Sequence, residues 1–319
     1  MHTFIKSAVR AAFSAAMILA ASSMAISQPA LRKAMDYNGD GRTDYAVFRP
    51  SDGYWYIFQS NGQYLFQNWG IPNEDTPTPG DWDGDGRGDI AVWRDTDGVF
   101  YWISSQNSTI GINSWGVSGD EPVARDYDGD GRVDPAVVRR ENGVMTWYVN
   151  RTTDGIFSFG WGATSDFTAP GDYDGDGKFD FAIQRPGATS GDYASFWIFQ
   201  SRDGIKVDFW GIGTDLVVPG DYDADGKTDL AIVREGPDPS SGLDWYIKLS
   251  GGGFFATSWG ATGPDYTAQG DYDGDGRTDI AVWRDSDGVF YVLRSSDNLL
   301  GGVYWGGAND LPIAVYDTH

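Results

Sequence analysis

The 319-residue chain has no cysteine and only two histidines, His2 near its start and His319 at its end. Without cysteine there is no disulfide framework, no thiol nucleophile and no cysteine-based zinc site. Two terminal histidines leave no basis for a Ser-His-Asp triad or a histidine-based zinc centre. Positive charge is also scarce: 23 Lys and Arg stand against 46 Asp and Glu, a net charge of −23. Such a surface disfavours nucleic acid and anionic membranes as partners. Long apolar runs are missing except at 11–25, which follows the basic residues Lys6 and Arg10. Ser23, Met24 and Ala25 then supply small residues at a cleavage point, with Ala25-Ile26-Ser27 as a rival. Residues 1–25 read as a secretory signal, too short for a membrane span. The mature chain, 26–319, is expected to be secreted, extracellular or periplasmic, without a transmembrane segment, and monomeric.

What is present is a repeat. Residues 126–139 read Asp-Tyr-Asp-Gly-Asp-Gly-Arg-Val-Asp-Pro-Ala-Val-Val-Arg, and close copies start at Asp36, Asp81, Asp172, Asp221 and Asp271. A period of 45–50 residues marks an array of one supersecondary unit. Numbered from its first residue, each copy places oxygen ligands at positions one, three, five and nine. These are Asp36, Asn38, Asp40 and Asp44; Asp81, Asp83, Asp85 and Asp89; and Asp126, Asp128, Asp130 and Asp134. The later copies give Asp172, Asp174, Asp176 and Asp180; Asp221, Asp223, Asp225 and Asp229; and Asp271, Asp273, Asp275 and Asp279. A glycine at position six allows a sharp turn. The main-chain carbonyl at position seven (Arg42, Arg87, Arg132, Lys178, Lys227, Arg277) can point inward. An all-oxygen shell of this size suits Ca²⁺ better than Mg²⁺, so up to six structural calcium ions are expected. The loops hold half of the acidic residues, and the acidity is mostly metal site.

An EF-hand would need a glutamate at position twelve and flanking helices. Position twelve is apolar in every copy, from Val47 to Val282, and its neighbours alternate as in a strand. The EF-hand is rejected, and the aspartate at position nine must close the shell. Asp-Gly clusters ordinarily mean turns, but register kept over six copies argues for ligands. Asn38 still offers an oxygen, so the first loop should bind more weakly.

Each repeat carries four strand-like runs separated by turn residues, the signature of a propeller blade. The expected fold is an all-β, six-bladed propeller, with repeats near 31–75, 76–120, 121–166, 167–215, 216–265 and 266–310. A surplus strand at 311–316 should close the ring by pairing with blade one. Other positions recur. An alanine lies two residues after position nine, where close packing demands a small side chain. Aromatics recur in the third strand at Trp55, Tyr101, Trp147, Phe196, Trp245 and Tyr291. Trp-Gly ends each fourth strand, and its tryptophan is expected to pack between blades. An arginine ends each second strand (Arg49 to Arg284), and an acid follows each Trp-Gly (Asp75 to Asp310); a repeated structural ion pair is favoured over a binding ring.

The run from Asp271, Asp-Tyr-Asp-Gly-Asp-Gly-Arg-Thr-Asp-Ile-Ala-Val, resembles the FG-GAP repeats of integrin α-chain propellers and the related bacterial VCBS-type repeats. The resemblance covers roughly 31–319, with Trp-Gly and Pro-Gly standing near where the Phe-Gly and Gly-Ala-Pro landmarks would fall. It implies a calcium-binding β-propeller with ions between the first and second strands of each blade. Similar proteins include adhesion proteins, lectins with sugar sites between blades, and some polysaccharide lyases. The reading is therefore a binding or adhesion module for a glycan or a surface protein. The alternative is a carbohydrate-active lyase or hydrolase on the same scaffold. Longer connections at 186–193 and 235–242 are expected on the face opposite the calcium loops, and enlarged loops on a rigid scaffold often hold function.

Overall fold

Alternating β-branched and aromatic residues cut by Gly, Asn and Asp leave the chain one regular option, the antiparallel strand. The computed structural model describes residues 35–313, all strand, turn or loop, in six four-stranded sheets. Blade two is representative: Asp75–Pro77, Ile90–Arg94, Val99–Ile103 and Ile110–Ser114 pair in sequence order. Blades three to six repeat this order. Hairpin chemistry sets the register; Asn142 (φ 54°) and Gly143 (φ 82°) make the two-residue turn that pairs Glu141 with Val144.

Burial follows position in the sheet. The second strand is buried almost throughout, whereas the fourth alternates exposed and half-buried residues. The recurrent alanines (Ala46, Ala91, Ala136, Ala182, Ala231, Ala281) are at most 1% exposed, as close packing required. The third-strand aromatics need a correction. Trp55 and Trp147 pair with Phe48 and Val138 and are buried, but Tyr101 and Tyr291 pair with Val92 and Val282, one register step away. Successive strand residues face opposite sides, so that one step turns a core residue to the other face. The buried equivalents in blades two and six are Phe100 and Phe290.

Blade one is a composite. Its first strand is Leu311–Pro312, and its others are Tyr45–Arg49, Tyr54–Phe58 and Tyr64–Asn68. Leu311 pairs with Phe48, and Ile313 N–H donates to Ala46 at 3.0 Å. The ring is thus closed by the expected segment; its last residues, 314–316, and the signal at 1–25 lie outside the described residues.

The Trp-Gly tryptophans bridge blades. Trp69, Trp115, Trp161, Trp210 and Trp259 each donate the indole N–H to a third-strand carbonyl of the next blade, at 2.9–3.3 Å. Trp305 does the same to Tyr56 of blade one at 3.0 Å. The ion pairs are equally regular. Arg94 holds Asp75 at 2.8 Å, Arg139 holds Asp120 at 2.7 Å and Arg284 holds Asp265 at 2.6 Å. Arg185 and Arg234 hold Asp166 and Asp215. Arg49 reaches Asp310 at 2.6 Å, so the sixth pair spans the chain ends. Each guanidinium also lies over an aromatic ring, such as Tyr56 at 4.2 Å and Tyr101 at 4.5 Å. The arginines are structural cations rather than a free ring.

Candidate metal centres and an aromatic crevice

In blades two to six the acidic loop joins the first and second strands; in blade one it leads into the second strand, the first coming from the C-terminal segment. In the second loop, Asp81 accepts hydrogen bonds from the N–H groups of Gly84, Asp85 and Gly86 at 2.7, 3.1 and 2.8 Å. Position one therefore ties the turn, the usual work of an aspartate there. Asp89 at position nine takes Trp82 N–H at 2.8 Å and Ser105 N–H at 2.6 Å.

Ser105 belongs to a set not recognised in the sequence. In each blade one Ser or Thr after the third strand (Ser60, Ser105, Thr152, Ser201, Ser250, Ser295) donates its N–H to position nine at 2.6–2.7 Å. The same residue's hydroxyl donates to position five: to Asp40, Asp85, Asp130, Asp176, Asp225 and Asp275. One residue thus clamps two carboxylates of its loop.

The loops gather three ligand-bearing carboxylates at a time. Oxygens within 4.8 Å of one another come from Asp81, Asp83 and Asp85; Asp126, Asp128 and Asp134; and Asp172, Asp174 and Asp180. Asp221, Asp223 and Asp225, and Asp271, Asp273 and Asp279, complete the set. The fourth expected carboxylate, at position five or nine, stands outside each group, held by the Ser or Thr clamp. The first loop is not among these groups. There Asn38 donates its amide to Ser60 at 2.8 Å and points the same Nδ2 at Asp44, 3.4 Å away.

A hard cation fits these groups. Asp174 Oδ1 is buried and accepts no hydrogen bond, and its nearest cationic group is Arg202 Nη2 at 3.9 Å. Burial pushes every position-nine carboxyl upward: Asp44, Asp89 and Asp279 to about 6, Asp134 and Asp180 to about 7, and Asp229 to about 8. Neighbouring aspartates add to the rise, with backbone hydrogen bonds opposing it. Carboxyl groups whose charge burial disfavours are donors that a divalent ion would relieve. At position five, Asp130 moves the other way: burial would raise it, but hydrogen bonds from Thr152 and Thr153 outweigh that and hold it low.

Successive loops touch. The N–H at position eight donates to the position-one carbonyl of the preceding loop: Gly88 to Asp36, Val133 to Asp81, Phe179 to Asp126, Thr228 to Asp172 and Thr278 to Asp221, at 2.6–2.8 Å. Thr43 completes the circle on Asp271 at 2.7 Å. The position-seven cation also lies across the preceding loop's position-four glycine. A Cβ on Gly84 would stand 2.9 Å from Arg132 Nε, and one on Gly274 equally close to Arg42 Nε. Both glycines hold φ 81°. Blade five alone among the described loops has Ala224 there, at φ 61°.

Away from the loops, a crevice of about 310 Å³ opens between blades six and one. It is lined by Arg49, Tyr56, Phe58, Tyr64, Phe66 and Trp305, with Tyr304 and Gly306 at its edge. Tyr64 and Phe66 lie within 4° of parallel, and Trp305 is inclined to them by 25° and 29°. Tyr64 is 61%, Phe66 56% and Tyr304 75% exposed. Positions matching Phe66 hold Ile112, Ser158, Val207, Ala256 and Gly302 in the other blades. The near-parallel pair of exposed rings beside the bridging tryptophan marks this seam; between blades four and five Phe254 alone meets Trp210, edge-on at 5.8 Å.

A model of the FG-GAP-like repeat matches residues 36–92 and 221–282, so the chain carries such repeats in two regions. No curated protein sequence matches the chain. Solved structures match the chain only at low identity and low TM-score. Dihydro-heme d1 dehydrogenase NirN is 14% identical with a TM-score of 0.42 over 90% of this chain, which spans 56% of that protein. A putative 6-phosphogluconolactonase from Bacteroides fragilis is 13% identical with a TM-score of 0.40, covering 87% of this chain and 97% of its own. AztD from Citrobacter koseri is 12% identical with a TM-score of 0.36, covering 85% of this chain and 96% of its own.

Proposed function

We propose that the protein is an exported propeller whose acidic loops hold calcium structurally and whose aromatic crevice binds a glycan. The crevice carries the reading. Three exposed rings contribute little to the core, since aromatic side chains stabilise mainly through burial. The buried aromatic contact of the same seam is made elsewhere, by Tyr45 stacked on Tyr272 at 4.8 Å. Open ring faces beside an arginine and tyrosine hydroxyls suit the apolar face and hydroxyl rim of a sugar. The lining offers no carboxylate, which favours a binder over a hydrolase or lyase, whose chemistry rests on positioned acid–base groups. Positions one, three, five and nine of each loop, with the position-seven carbonyl, would hold calcium. The ion would neutralise buried carboxylates and stiffen the loop, replacing the disulfides the chain lacks. No helix of the described residues is long and apolar enough to cross a membrane, and export rests on the N-terminal signal read in the sequence.

A glycan array probed with the purified protein tests this reading. A Tyr64→Ala/Phe66→Ala variant that keeps the wild-type circular dichroism should bind its best glycan at least about tenfold more weakly, the loss of roughly one stacked contact. Unchanged binding in that variant would move the site elsewhere. An array without a hit, together with capture of a defined surface protein, would favour the protein-partner reading.

A further inference from the structure

Six metal loops on six blades are ordinarily six independent sites, because repeat units interact only through their interfaces. Here the interfaces are made by the loops themselves. The position-one aspartate that ties each turn with its carboxylate also accepts, through its main-chain carbonyl, the N–H of the next loop. The donor at position eight directly precedes the position-nine carboxylate of its own loop, and the cation at position seven reaches back over the preceding turn. The chain of contacts has no end: Thr43 N–H donates to Asp271, and Asp271 N–H returns a bond to Thr43 Oγ1 at 2.9 Å.

We infer that the six loops form one coupled belt, in which filling a loop with calcium raises the affinity of the loops on either side. This rests on the loops being calcium sites, as proposed above. An ion that draws in positions one and nine fixes the carbonyl that accepts from the next loop and the N–H that donates to the preceding one. Each neighbour then loses less freedom on binding, which is positive coupling without a change of fold. One shared backbone hydrogen bond per junction corresponds to a coupling of about fivefold in affinity, at the low end of the range for linked sites. Closure of the belt at Thr43 and Asp271 also joins loop six to loop one, so calcium would pin the ring shut where blade six meets blade one.

Calorimetric titration of the chelator-stripped full chain with calcium reads this directly. The expected isotherm is steeper than that of independent sites, with a Hill coefficient above one. The decisive variant replaces Thr278 by its α-hydroxy acid, which removes the N–H donated to Asp221 and leaves every carboxylate in place. It also makes the position-seven carbonyl of Arg277 an ester and so weakens loop six directly, whereas every ligand of loop five is untouched. It should keep the calcium stoichiometry, flatten the isotherm and weaken loop five about fivefold. A role in fold stability alone would lower the melting temperature without changing the shape of the isotherm. Wild-type binding that fits identical independent sites, or an ester variant whose isotherm superimposes on wild type, overturns the coupling. Absence of any calcium uptake overturns the metal reading itself, so the two failures are distinguishable.

Discussion

Replacing Asp310 by alanine should weaken the ring at its seam. The Asp310 side chain is fully buried and accepts Arg49 Nε at 2.6 Å, Arg49 Nη2 at 2.9 Å and Gly307 N–H at 2.8 Å. Truncation removes a bidentate charge-assisted pair and leaves a main-chain N–H without its acceptor. Breaking a fully buried pair costs about 3–5 kcal/mol. Arg49 is one-third exposed, so water can recover part of its solvation and the expected loss falls to about 2–3 kcal/mol. At about 2–4 °C per kcal/mol the melting temperature should drop by roughly 4–12 °C. Urea unfolding followed by the fluorescence of the chain's 14 tryptophans provides the assay. An Arg49→Ala/Asp310→Ala double variant should be little worse than Asp310→Ala, because the two residues act on each other. Asp265→Ala in blade six removes the same pair away from the chain ends and serves as the reference. A loss below about 0.5 kcal/mol for Asp310→Ala would refute the view that this pair secures closure, since that is the scatter of ordinary surface substitutions.

Chelation should destabilise the whole ring. With millimolar calcium and a dissociation constant near 0.1 mM each site adds about 1.4 kcal/mol, so a thermal melt unchanged by EDTA after verified metal removal contradicts the calcium assignment. Asp130→Ala should lose about one ion per chain while the fold persists, and metal counting at the wild-type stoichiometry would remove Asp130 from the ligand set. In metal-free protein the position-nine carboxyls stand above their ordinary value of 3.8, at about 6 to about 8. Groups raised in the fold stabilise it at low pH and lose that contribution as pH climbs through the folded value. The metal-free melting temperature should therefore fall from about pH 4, near the ordinary carboxyl value, up to about pH 8, and a rise over that interval would show that the carboxyls are not held in this buried state.

Much of this architecture was legible because its determinants are local. The metal-loop pattern lies within nine residues, and strand alternation within five. Ring closure was readable too, because the segment at 311–316 repeats one that elsewhere precedes a loop. The clamp residues were not readable, since their distance from position nine drifts from 16 residues at Ser60 to 21 at Ser250 as the intervening hairpin lengthens. A fixed period cannot reveal a contact whose spacing is variable. Tyr101 failed for the opposite reason: a sequence alignment tolerates a one-residue offset, and a pleated strand does not.

The crevice lay furthest from view, and the cause bears on where function sits in a repeat protein. Its rings come from 56–66 and 304–305, nearly a whole chain apart, and meet only because the ring closes. No pattern within one blade encodes such a site. Residues that obey the period, the alanines, the bridging tryptophans and the arginine–aspartate pairs, are held by what every blade must do to pack against the next. Where blade one sets Phe66 at a position that is aliphatic or small in its siblings, beside Tyr64, packing gains little, because both side chains remain more than half exposed. A departure from the repeat that adds apolar surface without burying it runs against stability and solubility. That is the physical ground for placing the ligand at this seam, where the recurrent Trp305 is joined by the two exposed rings of Tyr64 and Phe66.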